Sequence, residues 1–210
     1  MQGLARLIAI GALSVSLVGC ASAPTQRMAS SDKSNVKAVT VSKSVPVPAA
    51  MSYLGPGGAT GLAFGAVGGA LAAPGIENDR ASFQARARSS GKPIDVIVYE
   101  EALTQIRASG KFPLTEVAEP GSATIHVSVL NYGFSIPNGF SSKLVPILGV
   151  RYELQDANGR VLWSASDRTL PLGNPVEGVD AEEIKSNAAA REAAWRGAAK
   201  ALAVKLLATY

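Results

Sequence analysis

Apolar and polar positions change their period several times along this chain, and each change marks an element. Leu7 to Val18 is an unbroken apolar run behind a single charge, Arg6. It is too short for a comfortable membrane-spanning helix, which needs about 20 residues, and reads as the apolar part of a cleaved export signal covering residues 1–19. Residues 20–53 are rich in Ser, Ala, Val, Lys and Pro and read as a tether. Within it Val39, Val41 and Val45 alternate with polar residues, which allows an edge strand between Val36 and Val45 that Pro46 and Pro48 would end. Residues 54–76 carry no acidic or basic side chain, and Gly57, Gly61, Gly65 and Gly69 recur at every fourth position. On a helix these glycines form one flat strip, with Leu62, Phe64, Val67 and Leu71 on the other side. Glycine costs roughly 1 kcal/mol relative to alanine in a helix, so such a helix needs a partner or a membrane, and a loosely ordered linker is the competing reading.

From residue 77 the composition becomes that of a globular domain extending to residue 210. Residues 80–90 are predicted helical. Pro93 then restarts the chain, and Ile94, Ile97, Val98, Ala102 and Ile106 keep a 3.6-residue period until Gly110 stops the helix. Strands are predicted at 111–118, at 123–131 (Ile125, Val127 and Val129 alternating with His126, Ser128 and Leu130), and at 144–155. The turn Asp156-Ala157-Asn158-Gly159 leads from the last of these into a strand at 160–169. Asp180 with Glu183 resembles a capping box and opens a helix whose face, Ile184, Ala188, Arg191, Trp195, Ala198, Leu202 and Leu206, reaches Thr209. At nearly 30 residues that helix would overhang a small sheet, so a bend or a projecting end is expected. The expected fold class is α+β, an antiparallel sheet of about four strands covered by helices.

The apolar run ends in Leu17-Val18-Gly19-Cys20. This resembles the lipobox of bacterial lipoproteins. The resemblance implies that Cys20 is acylated on sulfur, that the chain is cut before it, and that the new amino group is acylated too, several acyl chains giving a stable anchor where one would not. Ala21 rather than Asp follows, which in that family favours the outer membrane, with the domain facing the periplasm of a Gram-negative bacterium. The glycine strip resembles the glycine-zipper segments of envelope lipoproteins and surface antigens.

Composition then narrows the chemistry. The 210-residue chain has 20 basic and 16 acidic side chains, a net charge of +4, and no dense basic stripe, which with the envelope address disfavours nucleic acid as a partner. Its single Cys and single His leave no disulfide framework and no Cys- or His-based metal site, so no metal and no cofactor are expected. His126 has no neighbouring motif to make it a general base. Ser141, Ser142 and Ser164 lack a nucleophile elbow, and Glu100 and Glu101, about 100° apart on a helix, read as a solvated face. The glycine-rich stretch lacks the strand, helix and Lys of a phosphate cradle. No small-molecule substrate is identified. Tyr132, Phe134 and Phe140 are expected in one loop that could contact a partner.

Residues 100–208 also resemble, in order and pattern, the periplasmic α/β domains of the curli-secretion lipoprotein and of the lipoprotein activators of penicillin-binding proteins. The expectation is a non-enzymatic outer-membrane lipoprotein, held to the membrane by its lipid anchor, whose domain binds another envelope component in assembly, transport or maintenance of the envelope, or self-associates. The alternative is a membrane-active or pore-forming oligomer built on Gly57, Gly61, Gly65 and Gly69.

Overall fold

The computed structural model describes residues 25–56, 81–87 and 89–210. Cys20 and the strip of Gly57, Gly61, Gly65 and Gly69 lie outside the described residues. The chain forms an α+β domain in this order: helix α1 (Ser30–Asn35), strands β1 (Val39–Val41) and β2 (Ser52–Leu54), helical residues at 81–87, helix α2 (Ile94–Ser109), strands β3 (Ala123–Ser135), β4 (Lys143–Gln155), β5 (Val161–Arg168) and β6 (Val179–Asp180), and helices α3 (Ala181–Ser186) and α4 (Ala188–Leu207).

The sheet is built on β3 and β4, 13 residues each, paired antiparallel from Thr124 opposite Gln155 to Ser135 opposite Val145. β5 adds antiparallel to β4, and the short β6 pairs with the start of β4. On the other edge of β3, β1 lies parallel beside Ala123–Ile125 and β2 parallel beside Gly133–Ser135. Parallel neighbours need a crossover, and α2 supplies it between β2 and β3. The sheet is therefore mixed, and β1 and β2, from the stretch expected to be a tether, belong to it. Gln26 pairs with Ser164 on the β5 edge before the chain passes to β1 on the opposite edge. The strand expected at 36–45 is present over Val39–Val41. The strand expected at 111–118 reduces to one bridge, Leu114 to Val39, because Pro113 cannot donate to a ladder.

Alternation along β3 holds as far as Val129, and there a bulge shifts the register between Val129 and Asn131. Past it the buried parity changes from odd positions (Ile125, Val127, Val129) to even ones (Tyr132, Phe134). The strand so continues four residues beyond its predicted end at Asn131, and Tyr132 and Phe134 are inside, not in a loop. α2 and α4 pack on the face carrying Val127, Val150, Tyr152 and Leu154, all buried. The other face carries Thr124, His126, Ser128, Arg151, Glu153 and Ser164, with Leu130 45% exposed.

The periodic residues Ile94, Ile97, Val98, Ala102 and Ile106 are all buried in α2, and Gly110 ends it in the left-handed conformation at φ 61°. The long C-terminal helix is broken rather than bent. Asn187 is extended (φ −106°, ψ 108°), and its side chain accepts hydrogen bonds from the backbone N–H of Ala189 and Ala190, capping α4. Asp180 caps α3 by accepting from Glu182 N–H at 2.9 Å. Arg191 is only 2% exposed and donates to the carbonyls of Ile184 (2.9 Å) and Lys185 (3.1 Å), which the break leaves without helical partners. Among the described residues no helix is long and apolar enough to cross a membrane.

Gly133 shows how tightly β2 is held. Its φ of 151° suits glycine, and a Cβ there would overlap the backbone of Ser52. Gly133→Ala is expected to push β2 off the sheet and to destabilise by about 3 kcal/mol, the upper range for overpacking; a urea-denaturation midpoint within error of the parent would contradict this.

Candidate functional site

The side chains weighed and set aside as catalytic candidates are dispersed by the fold. His126 is exposed on the uncovered face, opposite Glu153 in the β3–β4 register. Ser164 uses its backbone N–H and C=O to hold Gln26 at 3.1 and 2.9 Å. Ser141 closes a local turn, donating to the Lys143 carbonyl and accepting from its N–H. Among the described residues no group of His, Cys, Asp and Glu is placed to hold a metal ion.

Glu100 and Glu101 have a different role from the solvated face expected of them. Both reach Arg196 of α4, at 2.6 and 2.9 Å, and Glu192 joins from α4 itself at 2.8 Å. Adjacent carboxylates on α2 diverge, as expected, but a guanidinium fork is wide enough to take one on each nitrogen. Lys92 adds a second cation on Glu100 at 3.0 Å. The hydrogen bonds from Arg196 and then Lys92 hold the Glu100 carboxyl below its ordinary value near 4.5, and the same carboxylates hold Arg196 above its own. The cluster ties two helices together.

Two features are candidates for binding. The first is the end of the sheet where β3 turns into β4. Phe140 there is fully solvent-exposed (102%), in a turn where its N–H donates to the Asn138 side chain at 3.1 Å. The loop after β5 is fixed at the same end. Thr169 Oγ1 donates to the Pro146 carbonyl at 2.9 Å, and the Asn174 amide donates to the Pro146 and Leu170 carbonyls at 2.8 and 3.0 Å. This loop exposes Leu170 (53%) and Leu172 (80%). Of the three aromatics expected in one partner loop, only Phe140 is on a surface. Tyr132 and Phe134 are 7% and 0% exposed, because the β3 bulge turns them inward. Leu170 and Leu172 were missed, although two leucines flanking Pro171 in a Gly- and Pro-rich loop are the available signal.

The second is a cavity of about 270 Å³ beside the start of α2. Its buried walls come from Met51, Ile94, Tyr132 and Trp195, with Ala87 and Gln84 of the preceding helical residues closing one side. Phe134 packs tilted on Trp195 at 5.0 Å and Tyr132 meets it edge-on at 6.2 Å, and the Trp195 indole N–H donates to the Gly133 carbonyl at 3.3 Å. Trp195 was legible only as one position of a helix face.

No family model matches the chain. No curated protein matches it in sequence. Among solved structures it is similar to a Xanthomonas campestris protein of the DUF330 family, at 16% identity and a TM-score of 0.37 over 55% of this chain; the chain spans 60% of the length of that protein. It is also similar to PelC of Paraburkholderia phytofirmans, solved as a dodecamer, at 16% identity and a TM-score of 0.36 over 83% of this chain and 86% of that one. A second crystal form of the PelC dodecamer matches at 18% identity and a TM-score of 0.33, over 55% and 74%.

The Arg196 cluster generates a pH prediction. Because the Glu100 carboxyl is held low in the folded state, its stabilisation is complete above the ordinary glutamate value and is lost as pH falls through the lowered one. In Arg196→Met the urea midpoint should drop at pH 7, and the gap to the parent should narrow as pH falls below about 4.5. Parallel pH profiles for the two proteins would show that Arg196 makes no charge-dependent contribution to stability through Glu100.

Proposed function

We propose that the chain is a non-enzymatic lipoprotein of the outer membrane, anchored through Cys20, whose periplasmic domain binds another envelope component through the apolar end formed by Phe140, Leu170 and Leu172. The exposure of these three side chains carries the reading. Large apolar groups gathered at one end of a domain and rimmed by polar residues mark interaction surfaces more often than chance exposure, since their burial on binding is worth about 1.5 to 3 kcal/mol each. They sit on loops fixed by hydrogen bonds to β4, so little order would be lost on docking. The motif Leu17-Val18-Gly19-Cys20 supports the anchor and the envelope address.

The two halves of this reading are tested separately. Cys20→Ser should leave the chain unlabelled by an alkyne fatty acid and unprocessed; labelling equal to the parent's would end the anchoring half. A photo-crosslinking amino acid at position 140 should give one discrete adduct in whole cells. Leu172→Ser should remove that adduct while leaving the melting temperature unchanged, since Leu172 is exposed. An adduct that survives Leu172→Ser at full yield, or none at any position in 138–142, rules out this end as the binding surface.

A further inference from the structure

The cavity beside α2 has a chemistry of its own that the proposed partner surface does not use. Exposure grades across it. Met51 (3%), Ile94 (7%) and Trp195 (3%) form an inner apolar wall, whereas Lys92 and Asp95 are partly exposed at the rim. Tyr132 lines it, 7% exposed, and makes no hydrogen bond among the described residues. The Trp163 indole N–H is the one fully enclosed side-chain donor without a partner among the described residues, so the Tyr132 hydroxyl is accessible rather than enclosed, on a residue that lines the cavity. Ile94 and Asp95 also line it. They belong to the first turn of α2, which no side chain caps, so unpaired backbone N–H groups and the positive end of a 16-residue helix face the same space.

We infer that this cavity binds a single acyl chain, with the chain against the inner wall and a carboxyl or ester oxygen accepting from the Tyr132 hydroxyl and the first turn of α2. The volume of about 270 Å³ lies just under the usual range for small-molecule sites, which suits one chain and not a two-chain lipid. The aliphatic part of the wall (Val45, Val47, Ile94) and the adaptable Met51 suit a flexible chain. Lys92 is already engaged by Glu100 at 3.0 Å, whereas the uncapped first-turn N–H groups of α2 only donate, so an oxygen-bearing head is favoured over an amine. The inference does not rest on the anchor.

The test uses the chain exported behind a conventional secretory signal with Cys20→Ser, so that no acyl group of its own competes. Titration with 11-bromoundecanoic acid, a contact quencher of tryptophan, should quench Trp195 saturably below the micellar concentration of the acid. Trp163→Phe leaves Trp195 as the sole reporter and should retain the effect. Tyr132→Phe should weaken binding about 5- to 10-fold, the worth of one hydrogen bond. Because it removes only an unpaired hydroxyl, it should not lower the melting temperature, whereas a purely structural hydroxyl would give the reverse pattern. Ala87→Phe, which fills the cavity from its side, should abolish quenching. Competition by undecanoic acid alone would identify free acids as the source, and competition by a lysophospholipid of the same chain as well would identify membrane lipid. Quenching that rises linearly without saturation, or is unchanged in both Tyr132→Phe and Ala87→Phe, overturns the inference.

Discussion

The single extra residue at the β3 bulge is the constraint on which the interior depends. Before it, odd positions face the helices; after it, even positions do, so one strand of 13 residues keeps a continuous buried side. Without the shift, Tyr132 and Phe134 would turn to the uncovered face. With it, Phe134 meets Phe83 edge-on at 5.7 Å and Trp195 at 5.0 Å, and Phe83 in turn packs on Tyr53 at 4.8 Å. Aromatic pairs of this kind contribute about 0.5–1.5 kcal/mol each beyond area burial. The aromatic cluster is how β2, the helical residues at 81–87, β3 and α4 come to share one core.

The helical layer is fixed by two arginines that do opposite things. Arg196 sits among three carboxylates and ties α2 to α4 by charge. Arg191 is buried, with no carboxylate on it among the described residues, and is held by carbonyl dipoles at the end of α3 and by Ser90. Burial, and then the neighbouring Arg86, push its guanidinium below the usual value. A cation beside unpaired carbonyls complements the negative end of a helix, so Arg191 makes the break at Asn187 sustainable and fastens it to the segment before α2. The break in turn lets α4 lie along the sheet instead of overshooting it.

Much of this architecture is legible in the sequence. The period of α2, the alternation of β3 up to Val129, the β4–β5 turn and the cap at Asp180 are local signals, and each appears where its residues place it. What escaped depends on contacts distant in the chain. β1 and β2 are short and pair in parallel with β3, so their own residues carry little pattern. A bulge inverts parity and makes Tyr132 and Phe134 look like loop residues. Arg191 falls on an apolar helix face, where periodicity marks its position but cannot say what satisfies its charge. Of the binding candidates, Phe140 could be named from its loop, whereas the cavity is assembled from segments that no linear pattern joins.

The placement of residues 25–56 on both edges of the sheet bears on the order of assembly. Gln26 finds its partner at Ser164, and β1 finds its own at Ala123–Ile125. These contacts close loops of the sort that raise contact order and slow folding, and none can form until the later strand exists. A chain emerging N-terminus first thus leaves residues 25–56 without their sheet partners until β3, β4 and β5 have followed, and the segment is clasped last.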